Sequence, residues 1–142
     1  MDDRISKHFK FSEFTKSDTA DRYHINNAIT DWDVRDNIVA LVENVLEPLR
    51  EAWGGPLFIN SGYRCKELNE KVGGVETSQH RLGEAADVGV TDPYALAQLL
   101  KRSGLVFDQC ILYPSFCHIS FKKDGENRQR FLCAKTWKGP KL

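Results

Sequence analysis

Ser78-Gln79-His80-Arg81-Leu82-Gly83-Glu84-Ala85-Ala86-Asp87-Val88-Gly89-Val90 is the stretch on which the reading of this chain turns. A loop histidine is followed seven residues later by an aspartate, inside a run of small and apolar residues, Glu84 to Val90, with the length of a strand. An acid in such a run demands an explanation. A buried ionised carboxylate is costly unless it is paired or coordinates a metal. Coordination would also account for the nearby imidazole.

Further along, Phe116-Cys117-His118-Ile119-Ser120-Phe121 holds a second histidine in an unusual place. Strand alternation puts Cys117, Ile119 and Phe121 on one face and His118 and Ser120 on the other, so His118 faces a polar site. Cys117 and His118 point to opposite sides and cannot readily grip one metal. Two imidazole nitrogens and one carboxylate oxygen, from His80, His118 and Asp87, form a three-ligand set that leaves a fourth zinc position for water, as in a catalytic site. On the residues alone a second explanation stays open, a core histidine and a salt-bridged aspartate. His8 and His24 lie in a polar amino-terminal arm and read as surface or capping residues.

The chain has 142 residues, which fits one domain over 1–142 with a core large enough to need no stapling. Twenty Lys+Arg balance 20 Asp+Glu, which removes the bulk electrostatic case for a nucleic-acid or anionic-membrane partner. The lysines around Trp137, namely Lys135, Lys138 and Lys141, read as a solvated end. No apolar run approaches the ~20 residues that span a bilayer, so no membrane insertion is expected. Met1-Asp2-Asp3-Arg4 leads into no secretory signal. The four cysteines form no C-x-x-C pair and read as buried thiols. A monomer is expected.

Around the opening stretch, hydrophobic residues recur at three- and four-residue steps from Val34 to Trp53 and predict a helix, with Pro48 kinking or dividing it. Phe9, Phe11 and Phe14 form an arm docking on the core, with Ser12 capping a short turn. Leu57–Asn60 reads as a strand, 65–72 as a short helix, and Asp92-Pro93 as the start of a second amphipathic helix ended by Gly104. The remainder reads as β: Val106–Tyr113, Phe116–Lys122 and Gln129–Ala134, with turns at Pro114-Ser115 and at 123–127. Helices first and a strand-rich second half predict an α+β fold, one domain with a mostly antiparallel sheet packed against helices.

Ser78-Gln79-His80-Arg81-Leu82-Gly83-Glu84-Ala85-Ala86-Asp87 resembles the S-x-H-x-x-G-x-A-x-D motif of zinc D-alanyl-D-alanine carboxypeptidases and related peptidoglycan peptidases, whose fold the hedgehog amino-terminal domain shares. Ser61-Gly62-Tyr63-Arg64 matches their S-G-Y-R element, and Phe116–Ser120 resembles the strand with the last zinc ligand. Phe11-Ser12-Glu13-Phe14 and Ser17-Asp18-Thr19-Ala20 look like the family's opening segment, so the resemblance runs over about residues 9–122. It implies a zinc ion held by His80, Asp87 and His118. It also implies an Arg64 that faces the metal and either neutralises an oxyanion or holds a substrate carboxylate. Ser78 would hold its loop in shape, Gly83 would permit the sharp path between the first two ligands, and Gln79 would sit at the rim.

One part of the family pattern is missing. The peptidases carry an Asp or Glu a few residues before the final histidine as general base, and Ile111 to Cys117 holds no acid. Asp108 and Glu84 are equal candidates for that role, with Glu76 also nearby. A turn at Pro114-Ser115 puts Ile111 opposite His118 and Asp108 on the far face, and a one-residue slip would reverse this. The leading expectation is a zinc metallopeptidase cutting a D-Ala-D-Ala or L-Ala-D-Glu type bond in peptidoglycan stem peptides at the cell wall. Its rivals are a non-catalytic zinc module that binds cell-wall peptides or a protein partner, and a metal-free structural domain.

Overall fold

Trp32 to Trp53 runs as one helical rod whose hydrogen-bond ladder changes at its middle: α3 (Trp32–Leu41), a π-helical turn (Val42–Leu46) and α4 (Glu47–Trp53). Pro48 is the cause. It offers no amide hydrogen and its ring crowds the carbonyl four residues back, and the ladder relaxes by one residue, with the Glu47 amide bonding to the Val42 carbonyl. The expected kink is thus absorbed as a bulge. The apolar stripe stays in register through it, since Ile38, Leu41, Val42, Val45, Leu46 and Leu49 are all fully buried.

The computed structural model describes residues 2–142. Two short helices, α1 (Phe11–Thr15) and α2 (Asp18–Arg22), precede the rod. After it come β1 (Phe58–Ser61), α5 (Lys66–Lys71), a 3₁₀ turn (Gln79–Leu82), β2 (Ala85–Gly89), α6 (Pro93–Ser103), β3 (Gln109–Leu112), β4 (Phe116–Ser120) and β5 (Arg130–Cys133). The strands form one sheet in the order β1-β2-β4-β3-β5. Neighbours are antiparallel except β3 and β5, which are parallel, so the α+β expectation holds. No described helix is long and apolar enough to cross a membrane.

One face of the sheet carries Ile59, Ala86, Val88, Cys110, Leu112, Cys117 and Ile119 into a core shared with the rod and with Leu96 and Leu100 of α6. The pleat sends Asp87 and His118 to the other face. The rod and α6 therefore back the sheet on one side, and Asp87 and His118 lie on the other. Cys110 and Cys117 are buried thiols, whereas Cys65 and Cys133 are half-buried.

One local expectation is corrected. Ser12 does not cap α1: Lys10 precedes that helix, and the Ser12 hydroxyl instead bonds to Asp3 at 2.6 Å. Beyond the bends at 123–125, β5 crosses to the far side of β3 and runs parallel to it. At the basic end Lys135, Lys138 and Lys141 are exposed, as expected, while Trp137 among them stacks on Tyr94 at 6.0 Å between ring centroids.

The amino-terminal arm is clasped to the rod by Glu47, which accepts hydrogen bonds from the Ser6 hydroxyl (2.6 Å) and the His8 amide (2.8 Å) and meets His8 Nδ1 at 2.7 Å. Phe9 and Phe14 are buried as expected. Phe14 then fixes the turn after β1. The Tyr63 amide donates to the Phe14 carbonyl at 2.7 Å, and a Cβ on Gly62 would lie 2.7 Å from Phe14 Cα, so only glycine fits. Gly83 is constrained twice, by φ of +76° and by a Val34 carbonyl 2.6 Å from where its Cβ would be.

Candidate metal centre

Asp87 and His118 face each other across the β2/β4 ladder, in the register Asp87↔His118. His80 comes to them from the 3₁₀ turn, which wraps round the start of β2. Asp87 Oδ1 lies 3.0 Å from His118 Nδ1 and 3.3 Å from His80 Nε2. One donor atom from each of the three residues lies within 4.8 Å of the other two.

The hydrogen bonds around His80 test whether this trio suits a cation. His80 Nδ1 is 2.7 Å from the Gly62 carbonyl, an acceptor, so that nitrogen carries the proton. In the neutral ring Nε2 is then a bare lone pair facing the Asp87 carboxylate at 3.3 Å. Two acceptors aimed at each other in a mostly buried site require a positive charge between them, either an added proton or a metal ion. The chemistry of the donor set, two imidazole nitrogens and one carboxylate oxygen, suits zinc. The carbonyl behind His80 is the kind of outer partner that fixes a ligand's tautomer. Burial works to raise the Asp87 pKa, yet the facing nitrogens of His118 and His80 outweigh it and hold the carboxyl well below the usual range.

The trio sits between two depressions. One, of about 400 Å³, is lined by Lys16, Ser17, Asn60, Tyr63, Arg64 and Asp87. The other, of about 650 Å³, is lined by Gln79, Glu84, Gln109, His118, Lys122 and Arg128 among others. Arg64 is half-buried beside Asp87; burial lowers its pKa and the Asp87 charge opposes that. Its Nη1 donates to Asn69 at 3.3 Å, and its Nε has no partner in the protein. The Ser78 hydroxyl caps the 3₁₀ turn by accepting from the His80 amide at 3.2 Å.

The two base candidates part company here. Ile111 pairs with His118, the expected register. Asp108, just before β3, is buried and fully engaged. Its Oδ1 accepts from the Arg128 amide (3.0 Å) and Nε (2.9 Å), and its Oδ2 from Arg128 Nη2 (2.8 Å) and Gln79 Nε2 (3.1 Å). A carboxylate with both oxygens occupied in this way has no free lone pair for a proton from the cleft. Glu84 stands in the second depression with His118, and burial raises its pKa, while a Gln79 hydrogen bond and the Lys122 charge pull it down and Asp108 adds to the rise. Glu76 contributes its backbone carbonyl to Arg81.

Sequence reading passed over Arg128 and Asn69. Asn69 is buried and holds both Arg64 and the Val75 carbonyl (2.8 Å), and a polar residue on the inner side of a short helix was the available signal.

Arg128 hydrogen bonds, against the opposing effect of burial, lower the Asp108 pKa to about 2 from an ordinary 3.8. A depressed folded-state pKa means that the pair stabilises the fold above the unfolded value and that this contribution is lost as pH falls from 3.8 through about 2. Arg128→Ala should therefore unfold about 5 °C or more below wild type at pH 7. The gap should close towards pH 2, as thermal unfolding followed at both pH values would reveal. An equal gap at the two would contradict the assignment.

A family model described as Peptidase M15 matches residues 7–120. Over 62 residues the chain is 39% identical to the zinc D-Ala-D-Ala carboxypeptidase of Streptomyces albus G, a match that takes in 42% of this chain and 24% of that relative's length. Lys122, Arg128 and β5 lie beyond the end of the family match, whereas β2, β4 and the turn that bears His80 lie within it. With most of its length matched, and all three residues of the candidate metal cluster inside that span, the chain belongs to the peptidase M15 family.

Proposed function

We propose that this protein is a zinc metallopeptidase that hydrolyses an amide bond in the stem peptide of peptidoglycan, of the D-Ala-D-Ala or L-Ala-D-Glu type, and so acts at the cell wall. The observation that carries this reading is the pair of acceptors, His80 Nε2 and Asp87 Oδ1, held 3.3 Å apart with His118 Nδ1 beside them. His80, Asp87 and His118 would hold the zinc. Zinc bound there supplies Lewis acidity towards a carbonyl oxygen and towards water.

The protein's own residues do the rest. A stem peptide lies across the trio with one end in each depression. Arg64, on the wall of the depression it shares with Asp87, binds a substrate oxygen, either a carboxylate or the carbonyl that gains negative charge, and its half-buried setting strengthens that contact. Glu84 takes a proton at its carboxylate from water and later returns it to the leaving amine. Its half-buried setting favours the protonated form more than open solvent would, which brings it nearer to the pH at which a base must also act as an acid.

Incubation of the zinc-loaded protein with purified muropeptides tests the reading. A new amine, with a fragment mass that identifies the bond cut, is the expected result. Binding without any new amine over long incubation would reject hydrolysis and favour the non-catalytic binding module, which the acid-free segment 111–117 also suits.

A further inference from the structure

The side chains behind Glu84 form a connected chain that starts outside the segment shared with the family. Arg128, in the connection between β4 and β5, grips both oxygens of Asp108 in a forked pair, with Nε–Oδ1 at 2.9 Å and Nη2–Oδ2 at 2.8 Å. Asp108 Oδ2 accepts from Gln79 Nε2 at 3.1 Å, and the same Nε2 lies 3.4 Å from Glu84 Oε1. An amide nitrogen has two hydrogens, so Gln79 can serve both carboxylates at once. Asp108 is wholly buried while Arg128 is 42% exposed, so the clamp closes from the cleft side. A long, two-way-rotatable glutamine side chain has little reason to hold one pose on its own. Here an ionised partner fixes it, and that partner is fixed by a planar fork that lysine cannot reproduce.

We propose that Gln79 and Arg128 are positioning residues for the cleft: Arg128 locks Asp108, Asp108 orients the Gln79 amide, and that amide sets the Glu84 carboxylate on the wall it shares with His118. The inference rests on the reading of Glu84 as the proton acceptor. It gives the carboxyl-terminal strand a part in the site, because β5, parallel to β3 with Gln109 opposite Arg130, holds Arg128 beside Asp108. The charged and titratable groups that face Glu84 are Lys122, Asp108 and, along the same depression, His118 and Arg128.

Zinc-loaded Gln79→Leu and Arg128→Lys proteins test this by two readouts, turnover of muropeptides and the titration of the Glu84 carboxyl carbon followed by NMR. Gln79→Leu keeps the Asp108–Arg128 pair and so the fold. It should lower kcat roughly tenfold or more at nearly unchanged KM and zinc content, as loss of an outer orienting partner does. The Glu84 titration should move to higher pH, since a hydrogen bond that favoured the carboxylate is gone. Arg128→Lys should shift it in the same direction by less. A Glu84 titration unchanged in both variants, or a Gln79→Leu effect confined to KM, would overturn the proposal. The titration needs no substrate, so it decides the inference even if the wild-type protein hydrolyses nothing, which would instead reject the function proposed above.

Discussion

Zinc, near one ion per chain in the wild-type protein, should all but disappear from His80→Ala and Asp87→Asn, and hydrolysis with it. His80 and Asp87 are two of the three proposed ligands, and each has a second partner in the site. Asp87 Oδ1 faces both imidazoles, at 3.0 and 3.3 Å, so its replacement by an amide removes the one negative charge that offsets the cation. His80 supplies the nitrogen whose partner is oriented by the Gly62 carbonyl. Loss of outer-shell partners alone costs about 10–100-fold in metal affinity, so loss of a ligand should exceed 100-fold. Metal analysis after dialysis against a weak chelator reads this directly. Thermal unfolding of the metal-free forms controls for misfolding, because His80→Ala also leaves a buried carbonyl without its donor, at a cost of about 1–3 kcal/mol. Zinc retained at one per chain in His80→Ala would sink the metal centre, and with it both the hydrolase and the zinc-module readings.

Asp87 and His118 were legible as anomalies because each breaks the local pattern, and it was the resemblance to the peptidase motifs that joined them with His80 into one ligand set. Asp87 is an acid among Ala85, Ala86, Val88 and Gly89, and His118 falls on the polar side of an alternating strand. The rod was legible for the same kind of reason, a stripe at helical period, and Pro48 announced the change of ladder without saying that a π-turn would absorb it. What stayed hidden depends on long-range placement. Nothing in Lys122 to Gln129 specifies that the next strand pairs in parallel with β3, because the connection carries no periodic pattern and strand order is set by which edge the core leaves free. Once β5 takes that edge, Arg128 meets an acid 20 residues earlier, and one base candidate is neutralised. The same blindness applied to Ser12, whose hydroxyl finds Asp3 because the arm folds back on itself.

That neutralisation leaves Glu84→Gln as the substitution that separates a hydrolase from a binding module. Glutamine has the same shape and can still accept the Gln79 hydrogen bond at Oε1, so the depression around His118 keeps its form. It cannot take a proton. General acid–base groups contribute about 10²–10⁴-fold, so kcat should fall by that much while zinc content and KM stay close to wild type. The pH profile adds a second criterion with a fixed sign. Burial raises the Glu84 pKa, so wild-type activity should decline on the acid side as the carboxylate becomes protonated, at a pH above the ordinary glutamate value. That acid limb should be absent from the residual activity of the glutamine variant. Asp108→Asn offers the contrast. Its carboxylate is engaged with Arg128, so the change should lower thermal stability at neutral pH, and because Glu84 remains, an acid limb persists even if its position moves with the Gln79 amide. A Glu84→Gln protein with near wild-type kcat and an intact acid limb would place the proton acceptor elsewhere in the cleft. Asp18, on the α2 side of the depression that holds Arg64 and Asp87, is then the remaining acid to replace.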